Sequence, residues 1–457
     1  MNEDRTHRPR GARWEVALAV GAFAVLCAVA LAHAPQLVTP DDYAYRASIV
    51  GMTDGHFLSL TTAQVRALAA QLTASAGPQR AVLFGPGPLG GSIEQWVRLA
   101  NGHWISEKDP GYPFLAAPFQ FLGIIRLAPL AYAALACAAL FFGARRWLGR
   151  LGGAVAVGLF CCSGAALAFA WRDYMPTFTE AALIAAGTGA LLWVMLATEA
   201  MPRRRTWIGL ASFLAIEAAT FARYTDIVVL GCAFATVLVV RWRRPRSLPA
   251  GAAGWWLGSV VLFCAGLAVF NDLVYGGPWR SGYRPGEVQF SIGSIPGNVR
   301  DMPSHLLQAL PAMVLGLAAL ACITVRWLRL RHAGPLGNEA RRDAAVGAAL
   351  AASWAGIWGL YAAYTWTTQP GMTTLAAIRF YVPAIGAIAL LGAWFLTRLP
   401  RRTSAAAATS TITVAAIAGL GIWAFGVMMP NMTPNRPPPG CNIGQPHCPA
   451  RPPSART

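Results

Sequence analysis

Long apolar runs, each wide enough to cross a bilayer and separated by arginine-rich connections, constrain this chain more than any other feature. A membrane-spanning helix needs about 20 predominantly apolar residues. Such runs occur at about 16–34, 124–143, 151–170, 178–198, 207–222 and 225–240. Others follow at about 252–271, 309–325, 344–364, 379–397 and 408–429. Charged residues make up only 12% of the sequence, about half the share of an ordinary soluble domain. The expected fold is an all-α integral membrane protein with about 11 transmembrane helices.

A formal net charge of +18 would suit nucleic acid if the basic residues were spread over one face. They are instead confined to alternate connections. The clusters are Arg5, Arg8, Arg10 and Arg13; Arg145, Arg146 and Arg150; Arg203, Arg204 and Arg205; and Arg241, Arg243, Arg244 and Arg246. Arg326, Arg329, Arg331, Arg341 and Arg342 follow, then Arg398, Arg401 and Arg402. The positive-inside rule makes these connections cytoplasmic, so the charge reports topology and contact with membrane lipids, not nucleic acid. A multi-pass protein of the plasma (inner) membrane follows, with its N-terminus in the cytoplasm. Its expected parts are a basic cytoplasmic stretch at 1–15 and a polytopic domain at 16–429. The first extracytoplasmic loop lies at 35–122, and a Pro-rich outer tail, disordered by composition, at 430–457.

That topology gathers the unusual polar residues on the extracytoplasmic side. The large first loop carries signals for short interfacial helices. Thr61 or Thr62 can cap a helix running to about Ala76, and Ser92 one containing Glu94, Gln95, Trp96 and Arg98. Trp96, Trp104 and the pair Trp255-Trp256 suit the membrane interface. Seven cysteines lie in apolar runs as small hydrophobes, while Cys441 and Cys448 in the tail could close a small disulfide loop.

Two adjacent acids, Asp41 and Asp42, stand just past the first apolar run. Ionisable groups at a membrane boundary are costly, and they mark polar cavities or reaction paths. The same side holds Lys108, Arg223, Arg280 and Arg379. Carboxylates that accept a hydroxyl proton, facing cations that neutralise a departing phosphate, suit group transfer from a phosphate-linked donor. Each residue also has a plainer role open to it. Arg223 can pair with Glu217 or Asp226, Arg172 with Asp173, and Lys108 can be a solvated charge between Glu107 and Asp109. His56 and His103 read as loop histidines. Glu180, just inside a span, needs a partner.

Five stretches resemble the GT-C class of polytopic glycosyltransferases, in the branch of the protein O-mannosyltransferases and lipid A aminoarabinose transferases. In order they are TPDDYAYRASI (39–49), EKDPGYPFLAAPFQFLG (107–123), FARYTDIVVL (221–230), NDLVYGGPWRSGY (271–283) and RFYVPAIGAIALLGAWF (379–395). The chain departs from that branch in having Asp42 where Glu is commoner and an insertion at about 60–100. The resemblance implies a GT-C-like fold and an extracytoplasmic active site. It further implies inverting transfer of a sugar from a polyprenyl-phosphate donor to a hydroxyl on a glycan, lipid or protein acceptor. It makes Asp41 and Asp42 the catalytic pair, with Asp41 the base and Asp42 supporting or sharing that role. Lys108, Arg223 and Arg379 would hold the donor phosphate, and Tyr45, Tyr112, Glu180, Arg280 and Tyr283 would line the substrate site. No third carboxylate stands beside the acidic pair in the sequence, so no divalent metal or other cofactor is assigned, although some relatives use one. A secondary transporter or lipid flippase is the alternative reading, and a non-enzymatic scaffold a third.

Overall fold

Every apolar run expected to cross the bilayer contains helix in the computed structural model. It describes residues 14–33, 40–56, 59–76, 95–99, 101–197, 202–243, 248, 250–283, 288–333, 337–368, 374–398 and 403–428. The basic N-terminal stretch, Ser92, Glu94, Cys441, Cys448 and the rest of the Pro-rich tail lie outside those residues. The order begins with α1 (Trp14–Ala32), α2 (Pro40–Thr53), α3 (Thr62–Ala76), strands β1 (Trp96–Arg98) and β2 (Trp104–Ser106), and α4 (Gly111–Phe121). Next are α5 (Ala128–Cys161), α6 (Gly164–Phe169), α7 (Pro176–Met195), α8 (Pro202–Ala222), α9 (Ile227–Arg243) and α10 (Ala250–Tyr275). The chain continues through α11 (Ile295–Ala309), α12 (Ala312–Ala333), α13 (Asn338–Ala362), α14 (Thr374–Ile378), α15 (Ile385–Arg398) and α16 (Thr403–Met428).

Among the described residues, eight stretches are long and apolar enough to span a membrane. One of them, Ile125–Cys161, folds back on itself at Gly149, where φ is +85°, and so supplies two of the expected spans. The arginine-flanked α8 and the shorter Val382–Arg398 supply the others. Small residues hold the centre together. A Cβ on Gly143 would lie 2.3 Å from the carbonyl oxygen of Gly189, so the backbones of α5 and α7 touch. Close approach of this kind is how helices associate where lipid is as apolar as leucine. Outward side chains such as Val261 and Leu262 of α10 stay exposed, as a lipid-facing surface requires.

Among the described residues, four of the basic clusters are drawn together at one end. Arg146 and Arg204 lie over the ring of Trp193, Arg398 pairs with Glu339 at 2.6 Å, and Asp343 accepts from Trp147 Nε1 at 2.8 Å. Glu180 lies on α7 about 20 Å from Trp193 at 1.5 Å per residue, so the polar loops occupy the other end.

The first loop is where the sequence reading fails in part. Thr61 and Gln64 form a reciprocal cap at the start of α3, with Thr61 N donating to Gln64 Oε1 at 2.8 Å. Residues 96–98, expected to be helical, form instead a strand paired with β2. Asn101-Gly102, a strong hairpin signal, drives that turn, and Gly102 has φ +83°. Trp96 and Trp104 are not interface anchors. Both are buried against Tyr43, Leu60 and Val65, and Trp104 Nε1 donates to Thr62 Oγ1 at 3.0 Å. Trp255 is exposed as expected, whereas Trp256 is fully buried and donates to the Thr206 carbonyl.

Gly111 is where the first loop docks on the bundle. A Cβ there would fall 2.3 Å from the carbonyl carbon of Phe221 at the end of α8. Gly111→Ala should therefore force a backbone shift costing about 1–3 kcal/mol. It should lower the melting temperature in detergent, while Gly258→Ala, which meets nothing within 4 Å, should leave it unchanged.

Candidate active site

The start of α2 explains why two adjacent acids act differently. Pro40 fits the first helical turn, and Asp41 and Asp42 favour a helix N-terminus electrostatically. Successive residues on a helix point about 100° apart, so the two carboxylates face different neighbours. Asp41 faces the cluster formed by the second and fifth resemblance motifs. Lys108 Nζ lies 3.1 Å from its Oδ1, and Arg379 Nη1 lies 2.6 Å from its Oδ2. Gln95 Nε2 also donates to Oδ1, at 2.9 Å. Asp42 turns inward to an ion pair with Arg172, and both side chains are 1% exposed. The expected Arg172–Asp173 pair is thus replaced by Arg172–Asp42, because Asp42 enters from another element and sits directly on the guanidinium. Asp41, at 14%, is the more exposed acid.

Lys108 is held between acids. It lies 3.3 Å from Glu107 as well as beside Asp41, and its ammonium stands 4.8 Å over the Tyr283 ring. It is buried, so it is not a solvated loop charge. Tyr283 reaches it because Gly282 lies flat on the Glu107 backbone, where a Cβ would come within 2.5 Å of the Glu107 Cα. Arg379 lies over Trp366 and Phe380 at 4.6 and 4.7 Å.

Arg223 pairs with the fully buried Glu180 at 2.9 Å, and not with Glu217 or Asp226. Glu217 instead accepts from Ser259. Arg223 also donates to the Arg379 carbonyl at 3.4 Å and lies over Phe380 at 5.4 Å, which joins it to the Asp41 cluster. Tyr45 and Tyr112 are buried edge to face at 5.8 Å, and Tyr112 donates to the Asp173 carbonyl. Arg280 is exposed and lies over Gly277. The structure therefore brings together Asp41, Lys108, Arg379, Arg223, Glu180 and Tyr283 and sets Asp42 aside. Gln95 is the neighbour of Asp41 that sequence reasoning missed, since its position depends on the hairpin. Among the described residues no three His, Cys, Asp or Glu side chains gather as metal ligands.

Burial disfavours the charged form of Asp41, but Lys108, Arg379 and the hydrogen bond from Gln95 outweigh it and hold the carboxyl well below the ordinary range. Lys108 is shifted upward: burial opposes its charge, and Asp41 and Glu107 more than restore it. Asp41 and Lys108 are thus both charged at neutral pH. Asp109, which accepts from Tyr224 N at 3.3 Å, is pushed up to about 7 by burial. Burial likewise raises Asp173 to about 7.

Those two acids keep protons that the unfolded chain releases above about pH 4. Their contribution to stability is complete below that pH and disappears as pH rises through about 7. Melting temperature should fall across this window, and Asp109→Asn should flatten the decline. Asp42→Ala should cost about 3–5 kcal/mol, because it takes the carboxylate from a buried guanidinium; Asp41→Asn, which removes the negative charge between the buried Lys108 and Arg379, should also lower the melting temperature, but by less, because the amide keeps an acceptor oxygen and Lys108 keeps Glu107.

No family model and no curated protein matches the sequence. Solved structures match its fold. ArnT from Cupriavidus metallidurans bound to undecaprenyl phosphate is similar at a TM-score of 0.54 and 15% identity, over 92% of this chain and 71% of that one. The apo state of the same protein gives 0.53 and 16%, over 90% of this chain and 64% of that one. The apo Archaeoglobus fulgidus oligosaccharyltransferase gives 0.51 and 12%, with 92% of this chain spanning 56% of that one. Identities this low speak of architecture, and the architecture is the GT-C fold of membrane glycosyltransferases.

Proposed function

We propose that this chain is a membrane glycosyltransferase moving a sugar from a polyprenyl-phosphate donor to a hydroxyl acceptor, with inversion, at the extracytoplasmic face. The observation that carries the reading is Asp41 held between Lys108 at 3.1 Å and Arg379 at 2.6 Å. The fold neighbour bound to undecaprenyl phosphate supports a lipid-phosphate donor. The gathering of four arginine clusters at the opposite end of the bundle supports an outward-facing site.

A carboxylate gripped by two cations is a weak base, so the donor has to change its surroundings. The phosphate of the donor competes with Asp41 for Lys108 and Arg379. As those cations turn to the phosphate, Asp41 becomes more basic and takes the proton of the acceptor hydroxyl. The acceptor oxygen then bonds to the anomeric carbon while the bond from that carbon to the phosphate oxygen breaks. The phosphate leaves with the electron pair and is held by Lys108 and Arg379, so no strong general acid is needed. Arg223, tied to Glu180, supports the Arg379 backbone and adds positive potential behind it. Asp42 supports the site by fixing α2 through Arg172. Tyr283 lies beside Lys108, the buried Tyr45 and Tyr112 pack α2 against α4, and the exposed Arg280 is left to the acceptor side. No metal is assigned to the reaction.

Asp41→Asn should reduce transfer by about 10²–10⁴-fold, the range for loss of a general base, with membrane insertion unchanged. The same variant should bind undecaprenyl phosphate several-fold more tightly, because a competing anion is gone. Retained turnover would remove Asp41 as the base. Weaker lipid binding would remove the competition between carboxylate and phosphate. Solute transport by the purified protein in liposomes, without sugar transfer, would favour a transporter instead.

A further inference from the structure

Gln95, immediately before β1, holds the most unusual backbone among the described residues. Its φ is +64°, the one positive value among the non-glycine residues described. A residue with a side chain is strained there, and such strain persists only where its surroundings over-determine it. Here they do so from both sides. The Gln95 carbonyl accepts from Glu107 N at 2.9 Å, which extends the hairpin toward Lys108. The side-chain amide donates to Asp41 Oδ1 at 2.9 Å.

The orientation of the carboxamide follows from chemistry. An ionised carboxylate only accepts, so the NH₂ group must face Asp41 and Oε1 must point away. That Oε1 is buried and finds no hydrogen-bond partner among the described residues. A buried, unsatisfied carbonyl oxygen calls for an explanation, and a donor arriving with substrate supplies one. Asp41 gives a second reason. A carboxylate offers about four lone-pair directions. Gln95 and Lys108 use those of Oδ1, and Arg379 uses one on Oδ2.

We propose that Gln95 is a positioning residue: it keeps hold of Oδ1 of Asp41 so that Oδ2, which Arg379 gives up as it turns to the donor phosphate, faces the incoming hydroxyl, while its own Oε1 accepts a hydrogen bond from a hydroxyl of the bound substrate. The proposal rests on the glycosyl-transfer reading above. The strained backbone is the means by which one short hairpin aims Gln95 and Lys108 at the same carboxylate.

The test compares full-length wild type with Gln95→Ala, Gln95→Gly and Gln95→Glu in lipid nanodiscs. Sugar transfer is assayed with a panel of undecaprenyl-phosphate sugars, using envelope extract as acceptor, and melting temperature is measured alongside. Gln95→Ala and Gln95→Gly should both lose about 10- to 100-fold in kcat, with donor KM changing less than about threefold. Gln95→Gly should nevertheless melt higher than Gln95→Ala, because glycine adopts positive φ freely. Gln95→Glu should regain activity as pH falls from 8 to 5, since only the protonated acid can again donate to Asp41. Gln95→Ala should show no such recovery. Wild-type kcat in Gln95→Ala, equal pH profiles for Ala and Glu, or activity that simply follows melting temperature would each overturn the role. If the wild type transfers no sugar from any donor in the panel, the glycosyltransferase reading fails. The melting order then still decides the strain argument, and Gln95→Ala melting as high as Gln95→Gly overturns it.

Discussion

One carboxylate held by two cations organises this protein. Asp41 meets Lys108 at the end of the first-loop hairpin and Arg379 in the segment before the last core helix, 338 residues later in the chain. Oppositely charged side chains at contact distance, largely shielded from water, attract strongly, and desolvating them is costly unless the geometry is good. The surrounding elements supply that geometry. The hairpin carries Lys108, α2 carries Asp41, and the aromatic rings of Trp366 and Phe380 hold the Arg379 guanidinium from its faces.

The bundle beneath is built to place these groups at one end. α7 begins at the site with Glu180 and ends among arginines stacked on Trp193. α8 runs the other way, from Arg204 beside that tryptophan to Arg223 on Glu180. Two charged ends joined by apolar helices fix the depth of the chain in a bilayer, because neither end can be drawn into hydrocarbon cheaply. Glycine contacts along α5 and α7 then leave little room for one helix to slide against the other.

The adjacent acids illustrate how much of a site is legible in residues alone. TPDDYAYRAS marks a helix start with two carboxylates in its first turn. Their division of labour is not written there. It comes from helical rotation together with what each direction meets: Lys108, Gln95 and Arg379 for Asp41, and Arg172 for Asp42. Gln95 was hidden for a related reason. With its neighbours it reads as a short helix capped by Ser92, and only strand pairing to β2 turns its side chain toward Asp41. The Asn101-Gly102 turn was a visible signal for that pairing.

Sequence by itself determined the membrane-spanning helices, the basic end and the polar loops, because runs of apolar residues and flanking arginines act locally against the bilayer. It also named most of the charged side chains that meet, since ionisable groups are too few in such a chain to be incidental. Tertiary structure alone decided the pairings: Arg223 with Glu180, Arg172 with Asp42, and Gln95 with Asp41. Ion pairs and hydrogen bonds act over a few ångströms, and which groups come that close depends on how distant segments pack, a property that no local pattern contains.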